Sequence, residues 1–459
     1  MYVKEVSHFL FKGYNLDMLK LFAILLCKLI RMIGNLVGRG SSLPGQFALK
    51  VCPDILSRIR LPEDIIAITG SNGKTSTTEM VYSLLEKQGK KVAYNFEGSN
   101  QIEGITTLII DNCDLRGNFL KDVLLMEVDE RYAKYVCKYI TPKYYIINNL
   151  YRDQMTRNGH PEYVLNDIKK SINPGTTLVL NSDDPIISSL SKQFSNDVIF
   201  FGINDSSKAK KENDAVYDDG YYCPLCHHKM IYDYRMFAHV GSYRCSNCDF
   251  RRNTPSYAIS KLDLSASTIT INDKYDIKLA LNTIFNAYNV LVAFAIGSLI
   301  GLDEEKCAES LDDYLIRNGR VRNFKVGDRQ GTLLISKHEN TISYNTNLEY
   351  VANYNGDVSL LLIIDDISRK YFTSDTSWLW DISFEYLKND NVKKIVVAGK
   401  YINDVAVRFT YAGIDKDKVR LFKEASEAIR YIGENSEGRL FALTCFSDEG
   451  KLLKEVEVL

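Results

Sequence analysis

The chain has 459 residues, of which 45% are hydrophobic and 25% are charged, and this length suits about two to four domains with packed cores. Its 57 Lys and Arg side chains are balanced by 58 Asp and Glu side chains, which gives a net charge of -1. Proteins that coat nucleic acid need a strongly basic surface, so this composition disfavours that class of function.

The first predicted element is an apolar helix between Leu16 and Val37. Lys20, Lys28 and Arg31 interrupt it, so no run reaches the ~20 apolar residues that a membrane-spanning helix needs. No small-residue cleavage site follows, which argues against a signal peptide. Two interpretations stay open: an amphipathic helix packed on the body of the protein, or a helix lying on a membrane surface. Both predict a cytoplasmic protein, and the second places it peripherally at the inner face of the membrane.

Short apolar segments that begin near Ile65 alternate with helical segments, a pattern typical of a mostly parallel α/β sheet. The first five predicted strands are Ile65–Thr69, Val123–Val128, Tyr144–Asn148, Thr177–Leu180 and Val198–Phe201. A polar linker covers residues 205–219, and strand and helix resume over 276–300. A second α/β pattern begins near Phe324, with strands at 360–364, 394–398 and 440–443. We expect an N-terminal helix and connecting segment over residues 1–61, a central ATP-binding domain over 62–320 and a C-terminal Rossmann-like α/β domain over 321–459.

A glycine-rich turn joins the first predicted strand to a helix, in the sequence Gly70-Ser71-Asn72-Gly73-Lys74-Thr75-Ser76. Glycines let backbone N–H groups face a phosphate chain, and the helix N-terminus adds partial positive charge. Lys74 can reach the β- and γ-phosphates of ATP, and the Thr75 hydroxyl can ligate Mg²⁺. The standard loop has a further glycine where Ile68 stands, but the shorter form keeps the strand–turn–helix context. The predicted nucleotide-binding residues of this loop are Gly70, Asn72, Gly73, Lys74, Thr75 and Ser76.

Four of the ten cysteines form two Cys-x-x-Cys pairs, Cys223 with Cys226 and Cys245 with Cys248, separated by 18 residues. This spacing in a reducing compartment suits one tetrahedral Zn²⁺ better than disulfides. Because cysteines fill all four ligand positions, the predicted site is structural rather than catalytic. A ribbon of this kind can also bind nucleic acid, which the neutral chain disfavours. We expect a zinc ribbon over residues 218–255, inserted into the central domain.

The run Gly-Ser-Asn-Gly-Lys-Thr-Ser-Thr-Thr from Gly70 resembles the ATP loop of Mur ligases and folylpolyglutamate synthases, which activate a carboxylate as an acyl phosphate for attack by an amine. Further segments similar to this family follow in the same order: Met126–Glu130, Asn148–Gln154, Asn181–Pro185, Phe285–Asn289 and Asn318–Arg320. The resemblance implies that Glu127 is a catalytic Mg²⁺ ligand, that Lys74 is catalytic, and that Asn286 and Arg320 bind the nucleotide. Gln154 stands where many members have His.

A four-cysteine ribbon inserted into such a domain resembles the MurT family of ligase subunits. Leu43–Lys50 is similar to the Leu-Pro-Gly segment ahead of its ATP loop, and Asp375–Asp381 is similar to its aspartate–tryptophan motif. The resemblance implies a carbon–nitrogen ligase that amidates the D-glutamate α-carboxylate of the lipid II stem peptide to D-isoglutamine. It also implies a heterodimer with a GatD-type glutaminase that supplies ammonia. The cysteines of this chain include no convincing Gly-x-Cys-x-Gly nucleophile turn.

The resemblance further implies that this chain contributes an aspartate that orients the Cys–His pair of the glutaminase, since a carboxylate fixes the tautomer of a histidine. Asp375 is the candidate here and Asp381 is the second. The alternative for Asp375 is that it caps a helix whose Trp378 and Trp380 pack in the core. The C-terminal domain departs from the family pattern at Asp365–Lys370, at Lys337–Thr341 and at Arg322.

Two other functions stay open from the sequence. One is a different amide ligase of the Mur or folylpolyglutamate type, which takes an amino acid directly without a glutaminase. The other is a non-catalytic scaffold that binds ATP and a partner, an idea motivated by the divergent C-terminal loops.

Overall fold

The computed structural model describes residues 16–36, 40–213, 215–314, 321–365 and 374–459. These residues form two compact units. Unit 1 contains the described residues up to Leu150, Glu162–Lys211 and those from Gly220 to 314, whereas unit 2 contains Tyr151–Pro161, Glu212–Asp219 and those from 321 onward. Arg320 and most of the Asp365–Lys370 segment lie outside the described residues. The domain boundaries expected at residues 61 and 320 stay predictions.

The strands in the described part of the chain reproduce each predicted strand within two residues at either end. They are β1 (Asp64–Thr69), β2 (Val92–Tyr94), β3 (Val123–Glu127), β4 (Tyr144–Ile147), β5 (Thr177–Asn181), β6 (Val198–Ile203), β7 (Met230–Phe237), β8 (Val240–Cys245), β9 (Tyr257–Asp263), β10 (Thr268–Ile271), β11 (Tyr275–Lys278), β12 (Val321–Val326), β13 (Arg329–Ser336), β14 (Val358–Ile363), β15 (Val392–Ala398), β16 (Val419–Phe422), β17 (Arg439–Cys445) and β18 (Glu457–Val458).

The α-helices of the same residues are α1 (Leu16–Leu36), α2 (Leu43–Val51), α3 (Lys74–Lys87), α4 (Ile102–Asp111), α5 (Ala133–Cys137), α6 (Met155–Asn158), α7 (Pro161–Lys169), α8 (Pro185–Ser188), α9 (Ile284–Leu299), α10 (Glu304–Asp312), α11 (Thr341–Ala352), α12 (Ile402–Ala412), α13 (Ala425–Asn435) and α14 (Glu449–Leu453). No helix among the described residues is long and apolar enough to cross a membrane.

The main sheet of unit 1 has the strand order β11-β10-β9-β6-β5-β4-β1-β3-β2. Along this sheet, neighbouring strands from β2 through β3, β1, β4, β5 and β6 to β9 are parallel. The pairs β9–β10 and β10–β11 are antiparallel. Strands β1, β3 and β4 are almost wholly buried, as expected of parallel strands with both faces covered. The structure thus confirms the predicted α/β class, and it places the carboxyl ends of β3, β1 and β4 side by side.

The sheet of unit 2 has the order β16-β15-β14-β17-β13-β12-β18. The pairs from β16 to β13 are parallel, and β12 pairs antiparallel with β13 and β18. Alternate residues of the central strands enter two apolar cores, one on each face of the sheet. Helices pack on both faces, because a strand that is buried on two sides exposes apolar side chains to both.

Candidate functional site

The phosphate loop lies between β1 and α3 in unit 1. Gly70 and Gly73 adopt positive φ angles of 138° and 81°, which residues other than glycine rarely adopt. A Cβ atom on Gly73 would also lie 2.5 Å from Asn289 Oδ1. Gly73 caps the N-terminus of α3 with no side chain of its own, so the first amides of the helix face the loop. The local geometry therefore suits the anion site that the sequence predicts.

Two carboxylates at the end of β3 approach this loop. Glu127 is the register partner of Ile68 on β1, is 5% exposed and accepts a hydrogen bond from Asn100 Nδ2 at 3.0 Å. Glu130, three residues later, accepts from Lys74 Nζ at 2.8 Å, and Lys74 also donates to the carbonyl oxygen of Gly70. Both members of this ion pair are buried. The sequence did not predict a contact for Glu130, because only the parallel pairing of β1 with β3 brings it to Lys74.

Three asparagine side chains surround the loop. Asn149 Oδ1 accepts from the Asn72 amide at 2.8 Å, and Asn149 Nδ2 donates to the Asn72 carbonyl oxygen at 3.1 Å. Asn148 Nδ2 donates to Thr77 Oγ1 at 3.2 Å, and that hydroxyl donates to Asn289 Oδ1 at 3.1 Å. Asn148 Oδ1 is buried without a hydrogen-bond partner among the described residues, although buried acceptors are normally paired.

The other residues predicted for nucleotide binding lie in different environments. Thr75 and Ser76 are exposed in the first turn of α3, where a ligand on the loop can reach their hydroxyls. Asn286 is 4% exposed and donates to the Leu281 carbonyl oxygen at 3.2 Å. In the structure it is Asn289, one helical turn later, that contacts the loop. Asn289 ends the Phe285–Asn289 segment, so the family resemblance could have pointed to it. The roles predicted for the nucleotide-binding residues stay predictions.

The Asn181–Pro185 segment has a structural part in unit 1. Asp183 is 1% exposed and accepts from Arg252 Nε at 2.6 Å and from Tyr288 Oη at 2.7 Å. Its carbonyl oxygen accepts from the Gly241 amide of β8 at 2.8 Å. Asp184 caps α8 by accepting from two of its first amides. This segment therefore anchors the β7–β8 hairpin to the main sheet.

The four predicted metal ligands come together beside that hairpin. The Sγ atoms of Cys223, Cys226, Cys245 and Cys248 all lie within 4.8 Å of one another. The Sγ–Sγ distances are 3.4 Å for Cys226 with Cys245, 3.5 Å for Cys226 with Cys248, and 3.8 Å for Cys223 with Cys248. Four sulfurs at about 2.3 Å from a tetrahedral zinc ion would be about 3.8 Å apart. The cluster could therefore hold one metal ion of that size.

Unit 2 contains a charged cluster around Arg152. Its Nε and Nη2 donate to the two Asp219 oxygens at 3.0 and 2.7 Å, and its Nη1 donates to Asp381 Oδ1 at 2.7 Å. Burial raises the pKa of Asp381 above its ordinary value, and the Asp219 charge adds to this while Arg152 opposes it. Burial acts to lower the pKa of Arg152, but the two carboxylates raise it overall. Asp381 is thus held inside its own unit by a charge-assisted hydrogen bond.

The departure at Lys337–Thr341 lies against the Asp153 segment of the same unit. Lys337 Nζ forms an ion pair with Asp153, and Asn340 Nδ2 donates to Asp153 Oδ1 at 3.0 Å. Glu339 has a φ of 45°, and its carboxylate accepts from the Thr156 amide at 3.0 Å. Burial raises the pKa of Glu339 above its ordinary value despite this bond. The sequence missed this network because its two segments are more than 180 residues apart.

Asp375, the predicted relay aspartate, is exposed. Its Oδ1 accepts from the Ser377 amide at 2.9 Å, at the start of the 3-10 helix Ser377–Asp381. Trp378 is 3% exposed, whereas Trp380 is 47% exposed and lies 5.3 Å from Tyr411, centroid to centroid. Asp375 thus accepts a backbone hydrogen bond just ahead of the helix, whose N-cap is Thr376, and only one of the two tryptophans packs in the core. The role of Asp375 stays a prediction.

Comparisons with known proteins agree with this geometry. Residues 68–297 match the family described as Mur ligase middle domain, and residues 338–448 match MurT ligase C-terminal. The MurT subunit of lipid II isoglutaminyl synthase (glutamine-hydrolyzing) from Staphylococcus aureus (strain COL) is 32% identical over 419 residues, which are 90% of this chain and 93% of the relative. The corresponding subunit from Streptococcus pneumoniae is 29% identical over 86% of this chain and 88% of that subunit.

Two solved structures share the fold. A pseudomurein peptide ligase type C from Methanothermus fervidus aligns with a TM-score of 0.68 at 19% identity, over 88% of this chain and 80% of that one. MurF from Acinetobacter baumannii aligns with a TM-score of 0.59 at 14% identity, and the alignment covers 90% of this chain and 80% of MurF. These two structures show the Mur ligase fold. The family matches and the two synthase subunits define the class: a carbon–nitrogen ligase. The identity to the two synthase subunits extends through both units. The chain belongs to the MurT family.

The buried Lys74–Glu130 pair makes a prediction about stability. Lys74→Met should lower the free energy of unfolding by about 3–5 kcal/mol, because it leaves the Glu130 carboxylate buried and unpaired. Lys74→Met with Glu130→Gln should recover most of that loss. The matched control is Lys143→Met, which removes a half-exposed pair with Asp64 and should cost about 1 kcal/mol or less. Urea unfolding followed by circular dichroism measures all three; equal losses for the two single variants would contradict the prediction.

Proposed function

We propose that this chain amidates the D-glutamate α-carboxylate of the lipid II stem peptide, with ammonia from a GatD-type glutaminase bound to it as a heterodimer. A carboxylate oxygen attacks the γ-phosphorus of ATP, the bond to ADP breaks, and an acyl phosphate forms. Ammonia then attacks the acyl carbon, phosphate leaves, and a proton is lost from nitrogen. The observation that carries the proposal is a complete phosphate loop in a chain whose identity to two such synthase subunits spans about nine-tenths of its length.

The residues of unit 1 have separate tasks in this proposal. Acyl-phosphate formation brings a carboxylate next to a triphosphate, so positive charge must offset their repulsion. Lys74 supplies one charge from the loop, and bound Mg²⁺ supplies more when it is held by Glu127 and the Thr75 hydroxyl. When phosphate occupies the loop, we infer that Lys74 exchanges part of its contact with Glu130 for phosphate oxygens. Glu130 then acts as a positioning residue for Lys74. Asn286 and Arg320 remain proposed nucleotide contacts.

ATP use tests these assignments. Because Lys74→Met with Glu130→Gln removes the buried charge on both sides, it should fold yet lose ATP-dependent amidation by about 10²–10³-fold. Glu127→Gln should shift the Mg²⁺ dependence to higher concentration. Glu63→Gln, an exposed carboxylate near the start of β1, is the control and should change neither quantity. Wild-type turnover in the double variant would remove the loop from the mechanism, and an unchanged Mg²⁺ titration would remove Glu127 from the metal site.

We further propose that the four-cysteine cluster holds one structural Zn²⁺. The sulfur separations fit the ion, and the Asn247 and Cys248 amides point at Cys245 Sγ from 3.4 and 3.5 Å. Few apolar side chains surround the cysteines, since this small core contains Met230, Tyr243 and Phe250 besides cysteine. Metal binding is therefore expected to supply most of the local folding energy.

Metal analysis of protein purified without chelator should find one Zn²⁺ per chain. Cys245→Ser should abolish it and lower the melting temperature, because three thiolates bind zinc far more weakly than four. His228→Ala is the control: this exposed imidazole donates from Nδ1 to the Cys226 carbonyl oxygen at 3.0 Å, but it is outside the cluster. It should leave the zinc content unchanged. Metal-free wild-type protein, or a Cys245→Ser variant as stable as wild type, would contradict a structural zinc.

Asp375 is the proposed relay to the glutaminase. It is exposed, whereas Asp381 is held by Arg152 and could reach a partner only by breaking that ion pair. The neighbouring Thr376 hydroxyl donates to Asp404 on α12 at 2.9 Å. On α12, Val407 and Tyr411 are 50% and 75% exposed. With Trp380 they give an apolar surface next to Asp375, which suits a protein partner.

Asp375→Asn should separate glutamine-driven amidation from amidation driven by added ammonium. It keeps the cap on Ser377 but weakens the orientation of a partner histidine, so glutamine-driven amidation should fall by about 10²–10⁴-fold. Amidation driven by added ammonium should survive. Asp404→Asn is the control, because it keeps the Thr376 contact and should leave both activities unchanged. A parallel loss of both activities in Asp375→Asn would make Asp375 structural, and amidation by the chain alone from glutamine or an amino acid would contradict the two-subunit function.

A lipid-linked substrate places the enzyme at a bilayer. We propose a peripheral location at the inner face of the membrane.

A further inference from the structure

Helix α1 buries one side in unit 1 and exposes apolar side chains on the other. Ala23, Ile24 and Cys27 pack into the core of unit 1 and are at most 1% exposed. The opposite side carries eight large apolar residues that are 37–85% exposed: Met18, Leu21, Phe22, Leu25, Leu29, Met32, Ile33 and Leu36. At 100° per residue they form one stripe about 28 Å long with no polar residue inside it. We call this stripe the α1 face.

Apolar side chains continue beyond α1 on elements next to it. Helix α2 packs against α1 and exposes Leu43 and Phe47, with Lys50 Nζ 5.3 Å from the Phe47 ring centroid. A turn beside Lys20 exposes Leu115. Soluble monomers rarely expose contiguous apolar surface of this extent, so the α1 face indicates a contact with an apolar phase or a partner.

The charges of this region favour a lipid surface. Residues 16–60, apart from 37–39, contain six Lys or Arg side chains against two Asp, although the whole chain has a net charge of -1. Lys50 and Arg60 are exposed. The nearby acids Glu97 and Asp111 lie 2.7 and 3.8 Å from the Arg31 guanidinium, and counting both leaves six positive charges against four negative ones. A net positive apolar surface is complementary to anionic headgroups over acyl chains.

The helix is fixed in a position that suits lying on a bilayer. Lys28 Nζ donates to the Asp111 carbonyl oxygen at 3.3 Å, and Arg31 donates to the Gly40 carbonyl oxygen at 2.6 Å. These contacts and the buried face hold α1 against unit 1 along its length. The α1 face also has no hydrogen-bonding group for a protein partner to pair with, whereas protein interfaces carry about one hydrogen bond per 100–200 Å².

We propose that the α1 face inserts into the headgroup region of an anionic bilayer and attaches unit 1 to the membrane. The inference rests on the proposed function for its biological reason, a lipid-linked substrate. Its test needs neither lipid II nor the glutaminase.

The test is flotation of the full chain with vesicles of phosphatidylcholine, with and without phosphatidylglycerol. Wild type should float with the anionic vesicles, and less so in high salt. Leu25→Glu with Leu29→Glu should lower the partition coefficient by roughly tenfold or more, because two half-exposed leucines are lost and two repelled charges are added. Tyr135→Glu with Tyr163→Glu adds the same charge at exposed positions of α5 and α7 and should bind like wild type.

Three results would overturn the inference. The first is equal flotation of wild type and the Leu25/Leu29 variant. The second is a wild-type dimer in light scattering that this variant dissociates, with no vesicle binding, which would make a second copy the occupant. The third is loss of flotation on adding the glutaminase subunit, which would make that partner the occupant. ATP binding by calorimetry on the same samples reports on the proposed function separately, since the α1 face contains none of its residues.

Discussion

Parallel pairing of β1 with β3 on one side and β4 on the other is the constraint on which the unit 1 site depends. In a parallel sheet the carboxyl ends of neighbouring strands lie at one edge. Register therefore puts Glu127 beside Ile68 and Ile147 beside Thr69, immediately before the loop. The residues that follow each strand therefore lie close together at that edge of the sheet. The site is a property of strand order, and its chemistry comes from the few residues that extend past each strand.

The buried pair of Lys74 with Glu130 shows how that arrangement prepares the loop. An unpaired ammonium group at 8% exposure would lose much of its hydration, so the lysine needs an anion even without nucleotide. Glu130 provides one in the protein itself, and a phosphate chain can compete for the same charge. Glu130 and the Gly70 carbonyl oxygen thus hold the Lys74 ammonium group at the loop.

The cysteine ribbon depends on the same edge through Asp183. This residue follows β5 and holds Arg252, Tyr288 and the β8 backbone, so an acid from the main sheet fixes the inserted hairpin. The Asn181–Pro185 segment resembles a Mur ligase motif, and its described contacts are structural. The cysteine cluster and the phosphate loop are therefore parts of one packed unit. Loss of structure in the inserted hairpin would disturb the buried contacts that Asp183 makes from the main sheet.

The sequence by itself determined the features whose cause is local. The phosphate loop, the four cysteine ligands and the main strands follow from spacing and periodicity within a few residues, and the structure confirms the α/β class and the cysteine cluster. Only the tertiary structure decided that Glu130 pairs with Lys74, that Asn289 contacts the loop, and that Arg152 holds Asp381. It also decided which side of α1 is buried, since both sides of that helix are apolar and periodicity cannot choose between them. These outcomes depend on contacts between residues tens to hundreds of positions apart, which strand order and packing create and local sequence does not encode.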